Sequence, residues 1–289
     1  MRYEGMVYRP PSEARSLIIQ LTIGCARNTC TFCSMYKDKK FRVRKLSEVV
    51  EDLQYAKKHY GSMIRRVFLA DGDALVVKTE DLLYILKVIR ELFPRLERVT
   101  AYGAPADALM KTPDELRLLK EAGLDMVYIG AESGSDKILK AVKKQATAAE
   151  IEEACKKLRL AGIAVSVTLI SGLGGRELLE EHALESARLI SAIKPEYVSI
   201  LTLMLERGTE LYEQHRAGKF ELLSADEVAA EMLLFLKNTD SEGSVFRSNH
   251  ASNYVPLAGT LNADTPRMIR QLEQAMERRH YKPEGFRGL

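Results

Sequence analysis

Cysteine is scarce in this chain: 289 residues hold four, and three of these fall between positions 25 and 33. Cysteines so few and so crowded do not form a disulfide framework. They suit a reducing compartment, and a cytoplasmic location is the expectation. An excess of one charge is missing as well. Lysine and arginine number 43 against 40 acidic residues, a net charge of +3, and the two signs are interspersed. That excludes a basic nucleic-acid arm or a membrane-surface patch, while leaving room for a local basic site facing an anionic substrate. No apolar run approaches the ~18 residues of a membrane span, and residues 1–11 lack the apolar core of a signal peptide. No membrane partner is therefore expected, nor a nucleic acid. Repeats, low-complexity tracts and long Pro/Gly/Ser linkers are absent too, so nothing in the sequence marks an independent second domain. What is present is 46% hydrophobic content over a length that α/β barrels commonly reach as one domain.

The crowded cysteines lie in Gly24-Cys25-Ala26-Arg27-Asn28-Thr29-Cys30-Thr31-Phe32-Cys33, just after the apolar, β-branched run 16–23. Three thiolates cannot close a four-ligand zinc site by themselves, whereas a 4Fe-4S cluster held by three keeps one iron open to an outside ligand. Three reduced thiols, or a mononuclear metal knuckle with a fourth ligand borrowed elsewhere, are the alternatives. Cys155 sits in a helical stretch far from the loop and reads as packed.

Around this loop the chain alternates strands and helices. Strands are expected over 16–23, 66–70, 99–103, 126–131, 163–170 and 197–204. Helices are expected over 46–60, 79–92, 112–122, 135–142, 147–161 and 177–192, with Gly123, Gly162 and Pro195 punctuating joints. Six βα units of about 30 residues imply a parallel sheet with right-handed crossovers. The fold class is α/β, a partial (βα)6 TIM-like barrel of parallel strands with a C-terminal α+β closing segment; a doubly wound sheet is the other option. After residue 204 come a helix over 225–237, a short strand over 244–248, a polar loop over 249–262 and a helix over 265–279. Residues 1–212 form the core, and 213–289 an extension of the same domain covering the substrate.

In parallel α/β sheets chemistry gathers at the carboxyl ends of the strands. Those ends here read Asp71-Gly72-Asp73, Tyr102-Gly103, Glu132-Ser133-Gly134, and Ser171-Gly172-Leu173-Gly174-Gly175, followed by Leu203-Met204 and Glu206-Arg207-Gly208-Thr209-Glu210-Leu211-Tyr212. With the cysteine loop and its aromatic Phe32, these turns, in this order, resemble the radical S-adenosylmethionine (radical SAM) enzymes over residues 16–212. The likeness is to the branch that includes oxygen-independent coproporphyrinogen oxidase and the methylthiotransferases. The resemblance implies a 4Fe-4S cluster on Cys25, Cys30 and Cys33, with the methionine amine and carboxylate of S-adenosylmethionine chelating the fourth iron. It implies Asp71, Gly72 and Asp73 at the methionine ammonium, Lys144 paired with its carboxylate, Glu132 and Ser133 at the cofactor-binding end of the fourth strand, Ser171 and Gly172 near adenine, and Leu203 and Met204 lining the base. Two features depart from the family pattern. The usual spacing is Cys-x3-Cys-x2-Cys, and this loop has one more residue between Cys25 and Cys30. Tyr102 and Thr168 stand where the coproporphyrinogen oxidase pattern has acidic residues for the ribose hydroxyls.

The remaining polar residues are candidates for a substrate: Tyr36 beside the loop, and Arg247, Asn249, His250, Asn253 and Tyr254 after the 244–248 strand. A turn-rich surface stretch is the competing reading of the latter. The implied activity is reductive cleavage of S-adenosylmethionine to a 5'-deoxyadenosyl radical that takes hydrogen from a small molecule, fed by an electron donor such as flavodoxin or ferredoxin. Members acting on free metabolites include lyases such as queuine lyase. No RNA-binding module or cobalamin domain accompanies the core, which speaks against methylthiolation of tRNA and cobalamin-dependent methylation. Two alternatives stand beside this reading: a coproporphyrinogen-oxidase-like tetrapyrrole enzyme and, from another class, a non-catalytic iron–sulfur electron carrier or redox sensor.

Overall fold

The computed structural model describes residues 1–288. In chain order its elements are β1 (Leu17–Gln20), β2 (Thr22–Ile23), β3 (Arg42–Val43), α1 (Leu46–Tyr60), β4 (Arg66–Ala70), α2 (Thr79–Leu92), β5 (Arg98–Gly103), α3 (Pro105–Met110), α4 (Pro113–Glu121), β6 (Leu124–Glu132), α5 (Asp136–Ala141) and α6 (Ala148–Leu160). Then follow β7 (Ala164–Ser171), α7 (Leu179–Ile193), β8 (Tyr197–Thr202), α8 (Glu210–Arg216), α9 (Ala225–Asn238), β9 (Val245–Ser248), β10 (Leu257–Thr260) and α10 (Thr265–Glu277). The fold is α/β, with mostly parallel strands.

The chain folds into two compact units. The first comprises Met1–Asn28, Met35–Ile129 and Glu153–Val165; the second comprises Thr29–Ser34, Gly130–Glu152 and the chain from Ser166 onward. In the first, β1, β4, β5 and β6 run parallel in that order, with Leu17 opposite Val67 and Val67 opposite Val99. Val67, Phe68, Leu69 and Ala70 are all fully buried, as befits a strand covered on both faces. On one face Phe68, Tyr102 and Tyr128 stack edge to face, with centroids 4.9 to 6.0 Å apart. Val7 and Ile18 pack against the same cluster. In the second unit β7, β8 and β9 are parallel and β10 is antiparallel to β9. Its apolar cluster joins Ile138, Val142, Leu173, Leu203 and Leu211, with Phe32 of the cysteine loop packed against it.

Helix entries follow local chemistry. Thr112 and Glu115 form a capping box with Pro113 at the first helical position of α4, and Ser224 and Glu227 do the same for α9. Four details differ from the expectation. The strand expected over 16–23 breaks at Leu21, whose N–H bonds to the Ala70 carbonyl while Thr22 and Ile23 swing out to pair with Val43 and Arg42. The polar loop expected over 249–262 contains β10, an edge strand of only four residues that is too short and too poor in apolar side chains to show a period. The short helices α3 and α8 also escaped notice, because six or seven residues carry no readable apolar stripe.

Candidate functional site

The first unit places the acidic turn after β4 against the start of the cysteine loop. Asp71 is completely buried, and its Oδ2 accepts hydrogen bonds from the Gly24 N–H at 3.0 Å, Lys39 Nζ at 2.8 Å and Gln20 Nε2 at 3.1 Å. Gly72 N–H in turn donates to the Gly24 carbonyl at 3.2 Å. Gly24, at φ +76°, holds a left-handed conformation that glycine adopts without strain. A Cβ on Gly72 would fall 2.9 Å from the Cβ of Cys25 and 2.7 Å from the Tyr36 ring, so only glycine lets this turn lie beside the first cysteine. Tyr36 is itself buried and meets Tyr8 edge to face at 5.6 Å.

Asp73, two residues on, is buried with neither carboxylate oxygen hydrogen-bonded in the usual geometry. Burial and the neighbouring carboxyl of Asp107 push its pKa up to about 8, against a weaker opposing pull from Arg27. Arg27 reaches Asp107 Oδ1 at 3.2 Å. Asp107 and Arg27 are residues that reasoning from the sequence missed. The only signal for Asp107 was its place just after the carboxyl end of β5. Tyr102, which stands where the family pattern has an acidic residue for the ribose, belongs to the aromatic trio, and burial raises its pKa well above the ordinary phenol value.

In the second unit the β6 end is held by a charge pair. Lys144 Nζ donates to Glu132 Oε1 at 2.7 Å, both side chains mostly shielded from solvent. Glu132 sits at φ +66°, and a Cβ on Gly130 would overlap its Oε1 at 2.2 Å, so the glycine makes space for the carboxylate to fold back over the strand. Ser133 accepts from the Ser135 N–H. Thr168 is half-buried on β7. Ser171 and Gly172 end that strand, and the Leu203 N–H bonds to the Ser171 carbonyl at 2.9 Å. Met204 is half-buried just beyond Leu203. Thr31 of the cysteine loop is stitched in from both sides: its N–H donates to the Val142 carbonyl and its carbonyl accepts from the Leu211 N–H.

Cys25 belongs to the first unit and Cys30 and Cys33 to the second; all three are half-buried, whereas Cys155 is fully buried. Among the described residues no three His, Cys, Asp or Glu side chains are drawn together closely enough to hold a metal ion.

The polar stretch after β9 has mostly internal partners. Asn253 is buried, and its amide accepts from Thr202 Oγ1 and donates to the Ile200 carbonyl, both at 2.8 Å, so it clasps the end of β8. His250 Nδ1 lies 2.9 Å from Ser252 Oγ, and burial, with help from Lys282, lowers its pKa. Tyr254 donates to Glu284 and lies under the Arg287 guanidinium, 3.9 Å from the ring centre. Asn249 and Arg247 are exposed, and Arg247 bonds to the Phe246 carbonyl.

A family model described as the radical SAM superfamily matches residues 19–190. The heme chaperone HemW of Bacillus subtilis is 20% identical over 182 residues, which cover 62% of this chain and 47% of that protein. Among solved structures, coproporphyrinogen III oxidase from Escherichia coli matches 78% of this chain and 54% of its own at a TM-score of 0.58 and 16% identity. Methylornithine synthase matches 93% and 82% at a TM-score of 0.54 and 16% identity. The chain spans less than half the length of the curated relatives it matches, and the structural likenesses speak to the fold. No helix of the described residues is long and apolar enough to cross a membrane.

Proposed function

The chain belongs to the radical SAM superfamily, an enzyme family whose cofactors are a 4Fe-4S cluster and S-adenosylmethionine, and from that premise we propose that it abstracts hydrogen from a small organic substrate. When bound, the two cofactors supply a reductively generated 5'-deoxyadenosyl radical. The residues proposed to hold the cluster are Cys25, Cys30 and Cys33, three soft thiolate donors that leave one iron open. The observation that carries the reading is the Gly72 cradle: a buried acidic turn pressed against Cys25, where any Cβ would collide. An acceptor-rich turn there suits an ammonium group, and Asp73 would exchange its proton for that cation. Lys144, oriented by Glu132, would present its ammonium to the methionine carboxylate. The turn at Ser171 and Gly172 and the strand end at Leu203 and Met204 would meet the adenosine. Residues 1–212 would form the catalytic core and 213–289 cover the substrate, while flavodoxin or ferredoxin would supply the electron.

Anaerobically reconstituted protein is expected to hold one 4Fe-4S cluster and to cleave S-adenosylmethionine to methionine and 5'-deoxyadenosine. Replacing Cys25, Cys30 or Cys33 singly by Ala should abolish the iron and sulfide stoichiometry, and Cys155→Ala should keep it. Lys144→Ala should weaken S-adenosylmethionine binding about tenfold without loss of iron, the scale of one charge-assisted hydrogen bond. Cysteine variants that keep a full cluster would remove the ligand assignment.

The substrate and the fate of its radical are proposed only at class level: a free metabolite, with lysis in the manner of queuine lyase as one outcome. A tetrapyrrole is the second reading, favoured by tetrapyrrole-related names among the curated relatives, the heme chaperone HemW among them. Quenching of porphyrin fluorescence on titration with the protein separates the two.

A further inference from the structure

Behind the strand ends of the second unit lies a polar network to which neither the motifs nor the family reading gives a role. Glu231 projects from α9 and is 3% exposed. Its Oε1 accepts from the Gly172 N–H at 2.9 Å, while its Oε2 has no hydrogen-bond partner among the described residues. Gly172 stands at φ +82°, so the chain turns sharply at the point where that one bond fixes it. His182 and Ser186 lie one helical turn apart on α7, on one face. His182 Nε2 contacts the Ile170 carbonyl at 2.9 Å, its Nδ1 lies 3.3 Å from Ser186 Oγ, and Ser186 Oγ accepts from the Gly134 N–H at 3.0 Å. The turn after β6 is pressed against the same helix, since a Cβ on Gly134 would fall 2.2 Å from the Glu185 carbonyl oxygen. Ser171, His182, Ser186 and Glu231 also line a small internal cavity of about 10 Å³, the room of one water molecule.

We infer that Glu231, His182 and Ser186 are positioning residues that lock the turns after β6 and β7 in register for S-adenosylmethionine. This rests on the proposed role of those turns. An apolar core needs no carboxyl at position 231, and burying one without full partners costs stability. What the carboxyl supplies is a fixed acceptor for an N–H that a left-handed turn would otherwise leave unpaired. In the same way the His182–Ser186 pair ties the Ile170 carbonyl near the end of β7 to the Gly134 N–H two residues past β6, so the two strand ends cannot move independently. Through Glu231, α9 of the C-terminal extension thereby acts on cofactor affinity without touching the cofactor.

The test uses full-length, anaerobically reconstituted protein and reads equilibrium S-adenosylmethionine binding, KM and kcat for its uncoupled cleavage, iron content, and amide exchange across 170–175. Glu231→Leu is expected to raise Kd and KM about tenfold, leave kcat within about twofold and iron unchanged, and speed exchange in that peptide. Glu231→Gln keeps an acceptor oxygen and should restore Kd to within about threefold. Ser186→Ala, a smaller change that serves if Glu231→Leu does not fold, should raise Kd by about threefold or more. Kd within about twofold of wild type in folded Glu231→Leu or Ser186→Ala would overturn the inference, as would equal losses in Glu231→Leu and Glu231→Gln. A wild-type protein with intact cluster that binds no S-adenosylmethionine would instead overturn the reading of the site itself.

Discussion

At the scale of single residues, the pair Asp73 and Asp107 concentrates the electrostatics of the first unit. In the unfolded chain the Asp73 carboxyl titrates near its ordinary 3.8, and in the folded protein near 8. The folded state therefore holds this proton more tightly. Its contribution to stability is full below about pH 4 and is lost as pH rises toward 8, because a charge must then form in a buried site beside a second carboxylate. Asp73→Asn, neutral at every pH and close in shape, should flatten the fall of the urea midpoint between about pH 5 and 8.5. Parallel slopes for variant and wild type would assign the pH dependence elsewhere. Asp73 was legible in the sequence because it ends a strand next to a glycine. Asp107 was not, because its partner lies 34 positions away and only the pairing of β4 with β5 brings their carboxyl ends together.

At the scale of elements, the boundaries of α1, α2 and β4 follow directly from the sequence, since each carries its own apolar period and its own breakers. The stretch after β9 was harder to read. Its run of Asn, His, Ser and Tyr suggested a substrate surface, yet Asn253 spends both ends of its amide on β8. Asn253→Ala should therefore lower stability by about 1–3 kcal/mol, the cost of leaving Thr202 Oγ1 and the Ile200 carbonyl without that partner. Chemical denaturation reads this directly, and an unchanged midpoint would return Asn253 to the list of residues open to substrate. A similar argument applies at Gly130. Gly130→Ala drives a methyl into the Glu132 carboxylate, so the Glu132–Lys144 pair should break and S-adenosylmethionine binding should weaken as in Lys144→Ala, with stability down by about 1–3 kcal/mol. Unchanged binding in a folded Gly130→Ala protein would detach the charge pair from the cofactor.

At the scale of the whole molecule, each compact unit has an apolar cluster of its own, built from residues outside the cysteine loop apart from Phe32. Removing iron with a chelator should accordingly leave the far-ultraviolet circular dichroism nearly unchanged while abolishing S-adenosylmethionine cleavage. Loss of helix and strand signal together with the iron would mean that the cluster stabilises the fold. Composition and period determined the α/β class and the longer strands and helices, because these depend on contacts between residues close in sequence, and the turns at the strand ends, with the cysteine loop, carried the family resemblance. The three-cysteine motif likewise stands in the sequence itself, within nine consecutive positions. Only the tertiary structure decided which polar groups face one another: Asp107 beside Asp73, Glu231 under Gly172, Ser186 under Gly134, Asn253 on β8. The physical reason is that a buried hydrogen bond depends on distances of about 3 Å. Two side chains far apart in sequence reach such distances only when strand register and helix packing have fixed both of their backbones.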